Sequence, residues 1–176
     1  LDPSQQKCKG RVVFRGHAVR DEHGLEAQFA DQGSSASSLA AAKLADAVSL
    51  LPGCAGQQSD AVSAYTQAKL GAGTKGGTPC TWVELPFDQW PEAWHKAGWT
   101  KEQRPCCPLR LALYGHPKSG FHLEKHCADR LRQSGFIPMV GWECVYMHED
   151  LQLILSVYVD DFKLVGREEI WPKGGN

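Results

Sequence analysis

The clearest pattern in the chain lies near its end. Leu151 to Val159 is almost continuously apolar, two aspartates follow, and Phe162 to Val165 is apolar again. Two such runs around a polar pair predict two strands joined by a tight turn at Asp160-Asp161. Val145 to Met147, ahead of the polar His148-Glu149-Asp150, predicts a further strand. Helical spacing appears twice. Ala40, Leu44, Val48 and Leu51 fall on one face of a helix capped by Ser34 and Ser35 and stopped by Pro52-Gly53. Gly120 and Gly135 bracket a second helix with Leu123, Cys127 and Leu131 four residues apart. Arg11 to Phe14 and Thr81 to Leu85 read as short strands. Gly24 to Ser38 is polar and loop-like, and residues 71–79, with four glycines, form a flexible loop. The twenty or so residues after Leu85 are rich in Trp and Pro and show no period. Helices interspersed with hairpins predict an α+β fold, a sheet covered by helices, with no internal repeat.

Composition narrows the classes. At 176 residues, 42% hydrophobic and 22% charged, the chain is long enough for one domain with a real core. A formal net charge of -1 supplies no bulk attraction to nucleic acid, so any such binding must come from local basic clusters. Two exist: Lys7, Lys9, Arg11, Arg15 and Arg20, then Lys118, Lys125, Arg130 and Arg132. Taken singly, each is as well read as solvated surface charge. There is no apolar run of membrane-spanning length and no signal peptide, so the expected setting is intracellular, not secreted, with no membrane partner. The opening Leu1-Asp2-Pro3-Ser4 points to a segment cut from something longer. Seven cysteines, an odd number, point to reduced thiols.

The chemistry begins at Asp160 and Asp161. Neighbouring side chains on a strand point to opposite faces, but at a tight turn both carboxylates reach a common region. Their repulsion is odd at the tip of an apolar hairpin unless a cation offsets it, although aspartate is also an ordinary turn residue. Mg²⁺ takes hard oxygen ligands and is commonly held by one or two carboxylates plus substrate phosphates. A second acidic position, Asp60, stands in Ser59-Asp60-Ala61-Val62-Ser63-Ala64-Tyr65, on a separate segment after its own helix. Two metals roughly 3.5–4 Å apart need carboxylates from more than one segment.

These blocks together resemble the reverse transcriptase domain of copia-type retrotransposon polyproteins. Lys9-Gly10-Arg11-Val12-Val13-Phe14-Arg15-Gly16 is similar to the family's fingers segment, K-x-R-x-V-x-[KR]-G. The Asp60 block resembles D-V-x-x-A-[FY]. Ala112-Leu113-Tyr114-Gly115, followed by His116-Pro117-Lys118-Ser119, resembles A-L-Y-G-L-K-Q-[SA]. Tyr158-Val159-Asp160-Asp161 matches the Y-V-D-D block. Four blocks in the family's order, spanning roughly residues 7 to 166, are far more specific than any one of them.

The resemblance implies a palm-type antiparallel sheet packed by helices, with part of the fingers, from a right-hand polymerase. Residues 1–30 would be a partial fingers segment, and 31–70 the helix plus the first catalytic aspartate. A Gly-rich and Trp-rich insert would span 71–107, the palm with its Tyr-Val-Asp-Asp hairpin 108–166, and a tail 167–176. Asp60, Asp160 and Asp161 would be catalytic, and with the carbonyl of Ala61 would hold two Mg²⁺ ions, Mn²⁺ being a substitute. Arg11, Lys9, Tyr65 and Lys118 would meet the nucleotide, Tyr65 selecting deoxynucleotides by excluding a 2′-hydroxyl. Tyr158, Tyr114 and Gly115 would border primer and template. Implied partners are an RNA or DNA template-primer, deoxynucleoside triphosphates, and the rest of the polyprotein: integrase, thumb and RNase H. Implied locations are a cytoplasmic virus-like particle or the nucleus.

The chain also departs from the family. Lys118 stands where the family has Gln, so charge replaces an amide's paired donor and acceptor. Ten residues after Gly166 cannot hold a thumb, so weak or no polymerase activity is expected of the chain in isolation. The alternative is an inactive retroelement remnant that binds nucleic acid. Zinc at His122, His126 and Cys127 is a minor reading, since no Glu follows His122 and Cys106-Cys107 are adjacent. A cysteine nucleophile paired with a distant His is weaker still. Trp82, Trp90, Trp94 and Trp99 are expected to form a packed aromatic insert rather than a base-stacking platform.

Overall fold

A computed structural model describes residues 10–29, 36–70 and 81–171 of the chain. Lys7, Lys9, Ser34, Ser35 and the glycine-rich 71–79 stretch lie outside the described residues. The fold is α+β: a five-stranded antiparallel sheet with helices on both faces, beside a small two-stranded ribbon.

The sheet is built from β1 (Cys54–Asp60), β4 (Ile137–Pro138), β5 (Val145–His148), β6 (Leu153–Tyr158) and β7 (Asp161–Arg167). Its order is β1-β7-β6-β5-β4, every pair antiparallel. Leu153, Leu155 and Val157 alternate onto one face of β6 and are buried. Leu155 faces Tyr146 on β5 and Leu164 on β7, and Val157 faces Phe162. Cys144 completes this core, and Cys127, Ala128, Leu131 and Phe136 pack against it. The first three belong to α4 (Ser119–Gln133), the helix expected between Gly120 and Gly135. Burying each large apolar side chain here contributes roughly 1.5–3 kcal/mol.

The opposite face carries Ser156, Lys163 and Val165, and α1 (Leu39–Ser49) lies across it. Asp46 of α1 forms an ion pair with Lys163, and Ser37 shares a buried hydroxyl hydrogen bond with Ser156 at 2.8 Å. The helix is capped by Ser38, whose side chain accepts from the Ala41 N–H. Its buried stripe is Ala41 and Ala45, flanked by half-buried Leu44 and Val48, while Ala40 and Leu51 are exposed. The apolar face is thus rotated from the expected one. Small side chains let the helix lie close to the sheet, so proximity rather than bulk selects the buried side.

The ribbon pairs β2 (Trp82–Glu84) with β3 (Cys106–Pro108). Between them the Trp-rich stretch holds α3 (Glu92–Lys96) and two short 3-10 turns. The expected strand at Arg11–Phe14 does not form. Val12 and Val13 are exposed, and the segment instead docks through its backbone, Phe14 N–H donating to the Tyr114 carbonyl at 2.7 Å. Among the described residues no helix is long and apolar enough to cross a membrane.

Candidate functional site

The register of the sheet assembles the acidic positions. Asp60, the last residue of β1, pairs with Asp161, the first of β7, and Asp161 pairs in turn with Tyr158, the last of β6. Directly opposed residues share a face, so the sequence separation of about a hundred residues disappears at this end of the sheet. The turn itself is Val159-Asp160, one residue earlier than expected, and Asp161 belongs to the strand. Asp160 is held at the tip because its carbonyl accepts the Ala61 N–H at 2.7 Å, a bond that ties the turn to the end of β1. Val159 turns with φ 58°, a left-handed conformation that costs a β-branched residue roughly 1–3 kcal/mol.

Like charges opposed across strands repel. A hydrogen bond to Asp60, which favours the protonated form, does most to raise the Asp161 carboxyl above its ordinary range, with desolvation and the Asp60 and Asp160 charges adding. The donor set is all oxygen, which suits a hard divalent cation. Among the described residues no group of three or more His, Cys, Asp or Glu side chains already converges as a metal cage.

A second group forms on the chain that follows Asp60. After Asp60 the chain turns through Ser63, at φ 53°, into the single turn of α2 (Ala64–Gln67), which presents Tyr65. The Tyr65 ring meets Tyr114 edge-to-face, centroids 4.6 Å apart. The Arg11 guanidinium lies over Tyr114, 4.6 Å from its centroid. Arg11, Tyr65 and Tyr114, assigned separately from three sequence blocks, therefore meet. Gly115 is obligatory beside them: its φ is 85°, and an added Cβ would lie 2.2 Å from the Phe14 carbonyl oxygen.

Lys118 meets a different ring. It precedes α4, with its ammonium 6.0 Å from the Phe29 ring, and its backbone N–H donates to His116 Nδ1 at 3.1 Å. Because Nδ1 accepts, the neutral His116 ring carries its proton on Nε2 and donates it to Thr81 Oγ1 at 3.0 Å. Burial, with lesser repulsion from His122 and Lys118, lowers the His116 pKa to about 4. Phe14 and Phe29 pack on the same imidazole. Ser119, also buried, accepts from the Leu113 N–H and donates to the Leu113 carbonyl. His116 and Ser119 were read from sequence only as part of the Leu113–Ser119 block, expected to border the template, with no individual role. Their only signal is their place in the block that follows Tyr114-Gly115.

The remaining candidates separate. His122, His126 and Cys127 lie half-buried along α4 and belong to no metal-binding group among the described residues. Burial above all pushes the Cys127 and Cys144 thiols up to about 11, which makes them poor nucleophiles at neutral pH. Trp90 contacts Trp94 and His95, and Trp94 stacks on Trp99 with ring planes 16° apart. Compared with known proteins, the chain matches no family model, no curated protein and no solved structure.

Proposed function

We propose that this chain is the catalytic palm, with part of the fingers, of an RNA-directed DNA polymerase of the copia-type retrotransposon kind. The observation that carries the reading is the strand register. It sets Asp60 opposite Asp161 and next to Asp160, so the acidic residues of two separate sequence blocks share one end of a sheet. The Arg11–Tyr114–Tyr65 group, whose Tyr65 follows Asp60 by five residues, brings together a cation and aromatic rings of the kind a nucleotide needs.

In this reading Asp60, Asp160 and the carbonyl of Ala61 hold divalent cations, and Asp161 completes the acidic set. When bound, two Mg²⁺ ions would lower the pKa of a primer 3′-hydroxyl and neutralise the triphosphate. The chain's own groups do the placing. Arg11 donates charge-assisted hydrogen bonds to phosphate oxygens, and Tyr65 lies under the sugar, where its ring excludes a 2′-hydroxyl. Tyr158, 57% exposed, borders the primer end. The 3′-oxygen forms a bond to the α-phosphorus as its bond to the bridging oxygen breaks, pyrophosphate leaves, and the hydroxyl proton passes to water. Template-primer, deoxynucleoside triphosphates and the integrase, thumb and RNase H of a polyprotein are the partners. Lys9 and Lys118 remain candidate phosphate contacts.

The second reading is a nucleic-acid-binding remnant without catalysis, favoured by the engagement of Lys118 with Phe29 instead of the tyrosine pair. Single-nucleotide extension of a primed homopolymer in Mg²⁺ separates the two. A polymerase palm binds deoxynucleotide in Mg²⁺ and adds it to the primer, if only weakly, and loses both in Asp160→Asn, while template binding persists. A remnant shows no incorporation, and Asp160→Asn leaves or strengthens its binding as a negative charge is removed.

A further inference from the structure

We propose that Tyr114 is a positioning residue whose ring sets both the arginine that meets the triphosphate and the tyrosine that meets the sugar. This inference rests on the polymerase reading and deepens it. The resemblance puts Tyr114 at the primer–template edge; its ring contacts assign it a different duty.

The backbone of Tyr114 is held from three directions. Its carbonyl accepts the Phe14 N–H at 2.7 Å. The preceding residue, Leu113, has both its N–H and its carbonyl bound by the Ser119 hydroxyl, at 3.0 and 2.7 Å. The following residue, Gly115, crosses the Phe14–Gly16 backbone so closely that a Cβ on Gly16 would lie 2.1 Å from the Gly115 carbonyl oxygen. A ring rooted in such a crossing has little freedom to shift.

The two side chains that meet the ring differ in their own surroundings: Arg11 is exposed, whereas Tyr65 is half-buried against Ala68, Leu70 and Ala112. Arg11 also lies outside any strand or helix, so the Tyr114 face supplies a specific resting place for its guanidinium. Tyr65 sits on a four-residue helix, far too short to hold itself without tertiary contact. The Ala68–Leu70–Ala112 cluster holds one side of the ring, and the edge-to-face contact with Tyr114 sets its tilt. One ring thus links a cation from the start of the chain to the ring that follows Asp60 by five residues. The separation between phosphate contact and sugar contact follows from it.

The test compares Tyr114→Ala and Tyr114→Phe in the full chain, using single-nucleotide incorporation of dATP and ATP on a primed template. Tyr114→Ala is expected to raise KM for dATP roughly 5-fold and to lower the preference for dATP over ATP by a similar factor, with kcat within about 2-fold. Tyr114→Phe, which keeps the ring, is expected to restore both quantities. Should Tyr114→Ala not fold, Tyr114→Leu keeps apolar volume without a π face and carries the same expectation. Unchanged KM and sugar preference in the ring-less variant overturn the proposal, as does a Tyr114→Phe variant that behaves like it. A wild-type chain that neither binds nor incorporates dATP overturns the polymerase reading, and this inference falls with it. Wild-type incorporation with unaltered Tyr114→Ala selectivity removes this inference alone.

Discussion

The acidic end of the sheet and the Trp-rich excursion between Trp82 and Pro108 are ordered by opposite means. At the sheet end, long-range backbone pairing brings Asp60, Asp160 and Asp161 together, and the side chains so gathered repel one another. In the excursion the partners are close in sequence. Phe87, Trp90, Trp94, His95 and Trp99 pack ring against ring, and Lys101 covers Phe87. Trp90, 8% exposed, donates its indole N–H to the Leu85 carbonyl at 3.0 Å. Local side-chain packing stabilises a stretch of chain without placing charge. Register places charge at a cost in local stability, the pattern expected where a site is built for a ligand rather than for the fold.

The sharpest way to break this contrast is at Asp60. Asp60→Asn is expected to lower Mg²⁺-dependent nucleotide incorporation roughly 10²–10³-fold while leaving the thermal midpoint unchanged or raised. A folded, fully active variant would remove the functional half of the comparison. Mg²⁺ is expected to raise the wild-type midpoint more than that of Asp60→Asn, since binding to the folded state alone stabilises it.

Backbone geometry comes next. Gly115→Ala puts a methyl group 2.2 Å from a carbonyl oxygen at a φ of 85°, and is expected to cost about 3 kcal/mol. Amide exchange at Phe14 should accelerate as its bond to Tyr114 opens. A urea midpoint equal to wild type would show that the crossing carries no such constraint.

In the other region, Trp90→Ala removes the hub of the ring cluster and the bond to Leu85. The expected loss is about 3 kcal/mol, confined to the ribbon and read by faster amide exchange in β2 and β3. Nucleotide binding should not change. A drop in nucleotide affinity would mean that the two regions are coupled.

Acid tests the hinge between them, because His116 bonds Thr81 at the start of the ribbon and packs on Phe14 near the site. Its folded pKa, about 4, lies below the ordinary 6.5, so between these values the unfolded chain binds more protons. Stability is fully present above pH 6.5 and declines as pH falls toward 4, by at most about 3 kcal/mol. Urea midpoints of wild type and His116→Gln across that window should differ in slope, the variant being flatter.

The smallest effect is expected at the turn. Val159→Asn replaces a β-branched residue at φ 58° with one that tolerates the left-handed region, and should stabilise by about 0.5–1 kcal/mol. Equal urea midpoints would place the strain elsewhere.

Sequence alone determined the elements whose signal is local. The two long helices, the β6–β7 hairpin and the strand before it were legible because apolar spacing reports which face is buried and polar or glycine residues mark where it stops. The acidic residues were legible too, as members of ordered blocks. Tertiary structure decided what those residues meet. β1, whose Cys54-Ala55-Gly56-Gln57-Gln58-Ser59-Asp60 has little apolar content, is a strand because β7 pairs with it. The buried face of α1 is its small-residue side because the sheet lies close. Arg11, Tyr65 and Tyr114 come from three distant blocks, and their meeting depends on a backbone crossing at Gly16 and Gly115 that no periodicity encodes. Local spacing reads burial, but register and close approach depend on partners far along the chain.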